Sequence, residues 1–168
     1  MKGNSSLFGS YSSSPLHGQS QPYKSEYSVY ERMLKKDLKH GIYDTTVGYT
    51  KNPTANFLDD VVSGDYIINE RFSDVLTYVI TTDDKVIIGK RNGNGKTGLQ
   101  TPHPTLIGGK DPKVKMAGML DIRGGKIYSY DNGSGHYRPN SESMKYADEL
   151  FKKYPKHKKY IGGINYDK

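Results

Sequence analysis

Val75-Leu76-Thr77-Tyr78-Val79-Ile80, then Asp83-Asp84, then Lys85-Val86-Ile87-Ile88-Gly89, is the stretch that decides the fold. β-Branched and aromatic residues fill both runs, and the paired aspartates between them favour a turn, so the segment reads as a β-hairpin. Met116-Ala117-Gly118-Met119-Leu120-Asp121-Ile122, Arg123-Gly124-Gly125 and Lys126-Ile127-Tyr128-Ser129-Tyr130 repeat the sequence of strand, turn and strand. Ser141 to Tyr154 then reads as a helix. Met144, Ala147, Leu150 and Phe151 share one of its faces, and Pro155 ends it. The expected fold is α+β: a small antiparallel sheet of two hairpins with a C-terminal helix and a short N-terminal helix.

Working outward, the N-terminal helix lies between Glu26 and Leu38. Val29 and Met33, and Tyr30 with Leu34, fall at helical spacing there. Ser25 or Ser28 can cap its start, and His40-Gly41 stops it. Residues 41 to 73 are less regular, with short strands suggested at Ile42-Tyr43, Thr46-Val47 and Tyr66-Ile67-Ile68 and a break at Asn52-Pro53. Residues 1 to 28 are rich in Ser, Gly, Pro, Gln and Tyr and read as a flexible arm. The organisation is thus an arm over 1–28, an α+β domain over 29–155 and a basic tail over 156–168.

Composition narrows the function classes. Hydrophobic residues are 33% of the 168-residue chain, which fits a modest core with polar extensions. Cysteine is absent, so disulfides and thiolate metal sites are excluded. No apolar run approaches the ~20 residues that span a bilayer. The Met1-Lys2-Gly3-Asn4-Ser5-Ser6 start lacks the apolar stretch of a secretory signal. A cytoplasmic protein, or one delivered into a host cell, is expected. Lys plus Arg number 25 against 18 Asp plus Glu, a net charge of +7. That balance favours nucleic acid, phosphate-bearing ligands or acidic proteins as partners, with much of the excess in Lys152 to Lys159.

Gly93-Asn94-Gly95-Lys96-Thr97-Gly98 has the look of a phosphate-binding glycine loop. The P-loop spacing fails, however, and Pro102 and Pro104 stand where its helix should begin. Gly108-Gly109 after a hairpin is similar to the opening of a Nudix hydrolase, but Asp111-Pro112-Lys113-Val114-Lys115 lacks the acidic metal box. Two other motifs carry more chemistry. His103 sits between Pro102 and Pro104, so its backbone is stiff and its ring direction is set at low entropic cost. Asn132-Gly133-Ser134-Gly135-His136-Tyr137-Arg138-Pro139 places a hydroxyl, a titratable ring, a phenol and a fixed cation within five residues. In an antiparallel sheet, the loops before the third strand and after the fourth lie at one end, so His103 and His136 are expected to meet.

Together these motifs resemble a block shared by plant IQ-motif calmodulin-binding proteins and C-terminal modules of bacterial polymorphic toxins. That block contains elements such as HSSFLAGG, AAG and SGHYxP. Here the matching residues are His103-Pro104-Thr105-Leu106-Ile107-Gly108-Gly109, Ala117-Gly118 and Ser134-Gly135-His136-Tyr137-Arg138-Pro139. The resemblance covers about Asp74 to Phe151, and Pro104, Thr105, Leu106 and Met116 depart from it. No calmodulin-binding helix is present in the sequence, so that property does not transfer. The resemblance implies an effector or toxin setting.

Two functions are expected from these residues. One is an effector-type enzyme acting on a phosphate-containing substrate, RNA or NAD-like, without metal or cofactor. His103 and His136 would be its acid and base, with Arg138 steadying negative charge and Tyr137 positioning the substrate. Ser134, Gly135, Thr105, Gly108, Gly109 and Glu142 would bind ligand. ADP-ribosyl transfer through His103, Tyr137 and Glu142 is a variant of it. The other function is a non-catalytic binding or delivery module. It would use Tyr11, Tyr23, Tyr27 and Tyr30 of the arm, with the basic surface, to engage a host or assembly protein, and no membrane.

Overall fold

An antiparallel ladder from Asp74–Ile122 to Thr81–Val114 joins the two hairpins edge to edge in the computed structural model of the chain, which describes residues 20–95 and 97–166. The elements in chain order are α1 (Glu31–Lys39), β1 (Tyr43–Asp44), β2 (Gly48–Tyr49), β3 (Asn56–Phe57), β4 (Val62–Ser63) and β5 (Tyr66–Ile67). They continue with β6 (Asp74–Thr81), β7 (Val86–Gly89), β8 (Val114–Arg123), β9 (Lys126–Asp131), α2 (Met144–Phe151) and β10 (Gly162–Ile164).

The expected small two-hairpin antiparallel sheet is overturned. The main sheet has six strands in the order β10-β9-β8-β6-β7-β3, and β1-β2 and β4-β5 form two further two-stranded sheets. The main sheet is mixed, because β10 runs parallel to β9 while the other neighbours are antiparallel. Among the described residues strand outweighs helix, with two short α-helices. The physical reason is the edge strands. Asn56-Phe57 and Gly162-Gly163-Ile164 are too short, or too rich in glycine, to show a period-two pattern.

Both faces of the sheet are covered. Leu76, Tyr78 and Ile80 of β6 and Leu120 and Ile122 of β8 point toward α2, where they pack with Met144, Ala147 and Phe151. The Phe151 ring lies 4.6 Å from that of Tyr130 and 5.3 Å from that of Tyr78. Val79, Ile87, Val114 and Ala117 belong to a second core with Leu106, Tyr137 and Tyr27. Each such buried side chain contributes roughly 1.5–3 kcal/mol of transfer free energy. Among the described residues, no helix is long and apolar enough to cross a membrane.

The two ends of the chain are tied to this sheet. Residues 1–19 of the arm, Tyr11 included, lie outside the described residues. Residues 20–28 run along the domain. The Gln21 N–H donates to the Arg138 carbonyl at 2.8 Å, and the Tyr27 N–H to the Val114 carbonyl at 2.7 Å. The Tyr27 hydroxyl meets Ser143 Oγ at 2.7 Å, and its ring is fully buried. At the other end, Lys156 Nζ donates to the carbonyls of Phe151, Lys152 and Tyr154, closing the C-terminus of α2. Lys152 pairs with Glu149 at 3.2 Å and Lys153 with Asp59 at 3.5 Å. Lys156 therefore serves the fold, while the exposed Lys152 and Lys153 pairs contribute little.

The docking of Tyr27 sets a stability expectation. Tyr27→Ala should cost about 3–5 kcal/mol, as for large buried aromatics, read as the shift in a urea unfolding curve. A change within ~0.5 kcal/mol, typical of an exposed site, would mean this segment is not part of the core.

Candidate functional site

The site begins at Gly118, in the middle of β8. A Cβ there would lie 1.9 Å from the Asp131 carbonyl oxygen, so only glycine lets the start of the 131–139 loop cross β8 this closely. The Gly118 carbonyl accepts a hydrogen bond from His103 Nε2 at 2.8 Å. A carbonyl only accepts, so Nε2 carries the proton and Nδ1 is the basic nitrogen. Thr105 holds the turn, with its N–H at 2.9 Å and its Oγ1 at 2.6 Å from the Pro102 carbonyl. His103 is only 7% exposed. Loss of solvent drives its pKa down to about 3, against the Gly118 bond that raises it, and the His136 and Arg91 charges lower it further. At neutral pH this ring is a neutral imidazole.

The loop that carries His136 is stapled at its start. Asp131 Oδ1 accepts from the N–H groups of Met119 and Gly133, both at 2.8 Å. Loss of solvent nevertheless raises the Asp131 pKa to about 6, outweighing those two bonds. Asn132 Nδ2 reaches across the loop to the Pro139 carbonyl at 3.1 Å. His136 emerges with Nε2 at 2.8 Å from Asp37 Oδ2. The same oxygen accepts the Tyr49 hydroxyl at 2.6 Å. Burial, then the bond to Asp37, pushes the Tyr49 phenol well above its ordinary range, so it stays a donor. A tyrosine, an aspartate and a histidine are thus linked in series, and the carboxylate holds His136 in the tautomer whose free nitrogen is Nδ1.

α1 and β2 supply the other two members. On α1, Asp37 follows Met33 by four residues and precedes His40 by three, so all three share a face. Tyr49 is anchored because β2 pairs with Gly109: the Tyr49 N–H donates to the Gly109 carbonyl at 2.7 Å, and the Gly109 N–H returns the bond at 3.1 Å. The Tyr43 ring packs edge-on to Tyr49 at 4.9 Å.

These elements enclose a pocket of about 220 Å³, lined among others by Lys36, Asp37, His40, Arg91, His103 and His136. Of the residues expected from sequence, His103, His136 and Gly135 line it. The rest have other places. The Tyr137 ring is fully buried in the second core and its hydroxyl donates to the Pro112 carbonyl. The Arg138 guanidinium lies over the Tyr30 ring at 4.6 Å, and its Nε donates to the Gly135 carbonyl at 3.3 Å. Ser134 Oγ accepts the Tyr137 N–H at 3.3 Å within a buried turn. Thr105 and Gly109 hold backbone in place, and Gly108 borders a separate open groove. Glu142 is exposed in the turn that precedes α2. His103, Tyr137 and Glu142, the set for ADP-ribosyl transfer, do not converge on this pocket.

The chain matches no known family model, no curated protein and no solved structure.

Asp37, Tyr49, Lys36, His40 and Arg91 were not expected from sequence. A signal for one of them exists: Asp37 is a carboxylate on the Met33–His40 stripe of α1, where an apolar side chain would be the default. Among the described residues, no cluster of three His, Asp or Glu side chains is placed to hold a metal ion.

His103 and Asp131 pull stability in opposite directions with pH. His103 binds its proton more weakly in the fold than at its ordinary 6.5. Its contribution is therefore complete above about pH 6.5 and is lost as pH falls toward 3, on the order of 5 kcal/mol in all. Asp131 binds its proton more tightly in the fold than at its ordinary 3.8. Its advantage is present below about pH 4 and lost as pH rises through 6. In urea midpoints measured from pH 3 to 8, His103→Gln should flatten the acid-side slope. Asp131→Asn should remove the opposing loss between pH 4 and 6. Parallel profiles for all three proteins would overturn both assignments.

Proposed function

We propose that this pocket cleaves phosphodiester bonds in RNA by acid–base catalysis. The observation that supports it best is the Asp37–His136 pair inside a pocket that also takes Lys36, Arg91 and His40. In this reading, His136 Nδ1 takes the proton of a ribose 2′-hydroxyl, and the 2′-oxygen attacks the adjacent phosphorus. The bond to the 5′-oxygen breaks and that oxygen takes a proton from the His40 ring. The products are a 2′,3′-cyclic phosphate and a 5′-hydroxyl. Lys36 and Arg91 steady the charge that grows on the phosphoryl oxygens. Asp37 and Tyr49 are positioning residues, because they act through His136.

This assignment changes the role of His103. A ring that stays neutral down to about pH 3 is a poor proton shuttle near neutrality, where an effective acid or base has a pKa near the working pH. His103 is better suited to fixing the turn and offering Nδ1 as an acceptor. An effector acting in the cytoplasm, of its own cell or of one it enters, agrees with the resemblance to toxin modules. The alternative of partner capture through the tyrosine arm has less support. Tyr27 is buried, Tyr23 bonds to Tyr146 at 2.6 Å and Tyr30 lies under Arg138.

Incubation with single-stranded RNA should yield cyclic-phosphate ends. His136→Gln, whose amide still reaches toward Asp37, should lower the rate at least ~10³-fold, while His103→Gln keeps most of it. Equal rates for wild type and His136→Gln, or no cleavage by the wild type, would reject the proposal.

A further inference from the structure

Helix α1 has a second face. Arg32, Lys35, Lys36 and Lys39 stand at i, i+3, i+4 and i+7 and are all exposed, so they form one stripe along the helix. Lys36 belongs both to this stripe and to the pocket wall, so the stripe runs into the mouth of the site. The acids of α1 do little to neutralise it. Asp37 is turned inward to His136 and Tyr49. Glu31 meets Lys35 only at 3.7 Å with both side chains about three-quarters exposed, a pairing of little strength in water. At the N-terminal end of the same helix the Arg138 guanidinium is stacked on the half-buried Tyr30, adding a cation and an aromatic plane.

A helix needs such a stripe neither for its fold nor for its packing, since what holds α1 to the domain lies on the inner side. The Tyr30 N–H donates to the His136 carbonyl at 2.9 Å, and Asp37 makes the two bonds already described. Like charges at i,i+3 and i,i+4 repel and weaken an isolated helix. A polyanion laid along the stripe removes that repulsion. From Arg32 to Lys39 the helix advances about 10 Å at 1.5 Å per residue. That is enough for about three phosphates at the ~3.4 Å axial spacing of one stacked strand.

We propose that α1 is the track along which a single-stranded RNA is held while one of its phosphodiesters enters the pocket. This rests on the reading of the pocket as an RNA-cleaving site, and it makes the substrate a polymer rather than a mononucleotide. Lysine and arginine on an exposed helix contact phosphates without reading bases, so binding along the track is indifferent to sequence.

The test uses the full chain and a twelve-nucleotide 2′-O-methyl RNA, which lacks the free hydroxyl needed for cleavage. Affinity is measured by fluorescence anisotropy across a salt series. Each phosphate contact contributes about −0.7 to the slope of log affinity against log salt for a single strand. Arg32→Ala/Lys35→Ala/Lys39→Ala, which spares Lys36, should flatten the slope by about 2. Its melting temperature should not fall, because like charges are removed from the helix, and its cleavage of a dinucleoside phosphate too short to reach the track should stay unchanged. An unchanged slope, or no measurable binding by the wild type, would overturn the track. Capture of a protein in preference to RNA by the same stripe would overturn it as well. If the slope falls as expected but the dinucleotide is never cleaved, the track stands and the catalytic reading fails. If the dinucleotide is cleaved and the slope is unchanged, the reverse holds.

Discussion

One buried carboxylate ties the site together. Asp37 Oδ2 receives both the His136 ring and the Tyr49 hydroxyl, and those three residues come from α1, the loop after β9, and β2. Burying a charge costs several kcal/mol unless its lone pairs are occupied, and removing one partner of a buried pair typically costs ~3–5 kcal/mol. The pair therefore does two things at once. It fixes a nine-residue helix with little apolar surface of its own, and it orients an imidazole in a pocket. A helix this short is marginal in isolation, so its position is set by these bonds rather than by propensity.

The sheet provides the other half of the frame. β8 lies between β6 and β9, so its carbonyls and the loops crossing it occupy defined places. Gly118 is where two of the site's segments converge: the His103 ring bonds to its carbonyl, and Asp131 passes over its Cα. His103 and His136 consequently sit in different chemical surroundings. One is dry and hydrogen-bonded to a neutral carbonyl. The other is hydrogen-bonded to a carboxylate, which fixes the direction of its ring. Opposed environments of this kind are how two identical side chains come to hold different roles.

Legibility in the sequence follows these physical distinctions. The runs 75–80, 85–89, 116–122 and 126–130 occupy the middle of the sheet, and their β-branched, aromatic and aliphatic residues mark them as strands. The sheet's edges were hidden, since Asn56-Phe57 and Gly162-Gly163-Ile164 pair through backbone groups that any residue carries. The antiparallel argument placed His103 and His136 at one end of the sheet, and both line one pocket. It could not show that Asp37 joins them, because 99 residues separate it from His136. Tyr137 and Arg138 seemed chemical by type. Their surroundings make one a core residue and the other a stacking partner of Tyr30, a difference that only packing decides.

The most direct test of this account is the rate of RNA cleavage by Asp37→Asn. Asparagine keeps the shape and can still accept the Tyr49 hydroxyl, but it carries no charge and does not enforce the His136 tautomer. The account predicts a fall of about 10³–10⁴ in kcat, with KM for RNA little altered and the fold retained by circular dichroism. Wild-type kcat in a folded Asp37→Asn protein would contradict it, because the Asp37–His136 bond would then be a strut of the fold and nothing more.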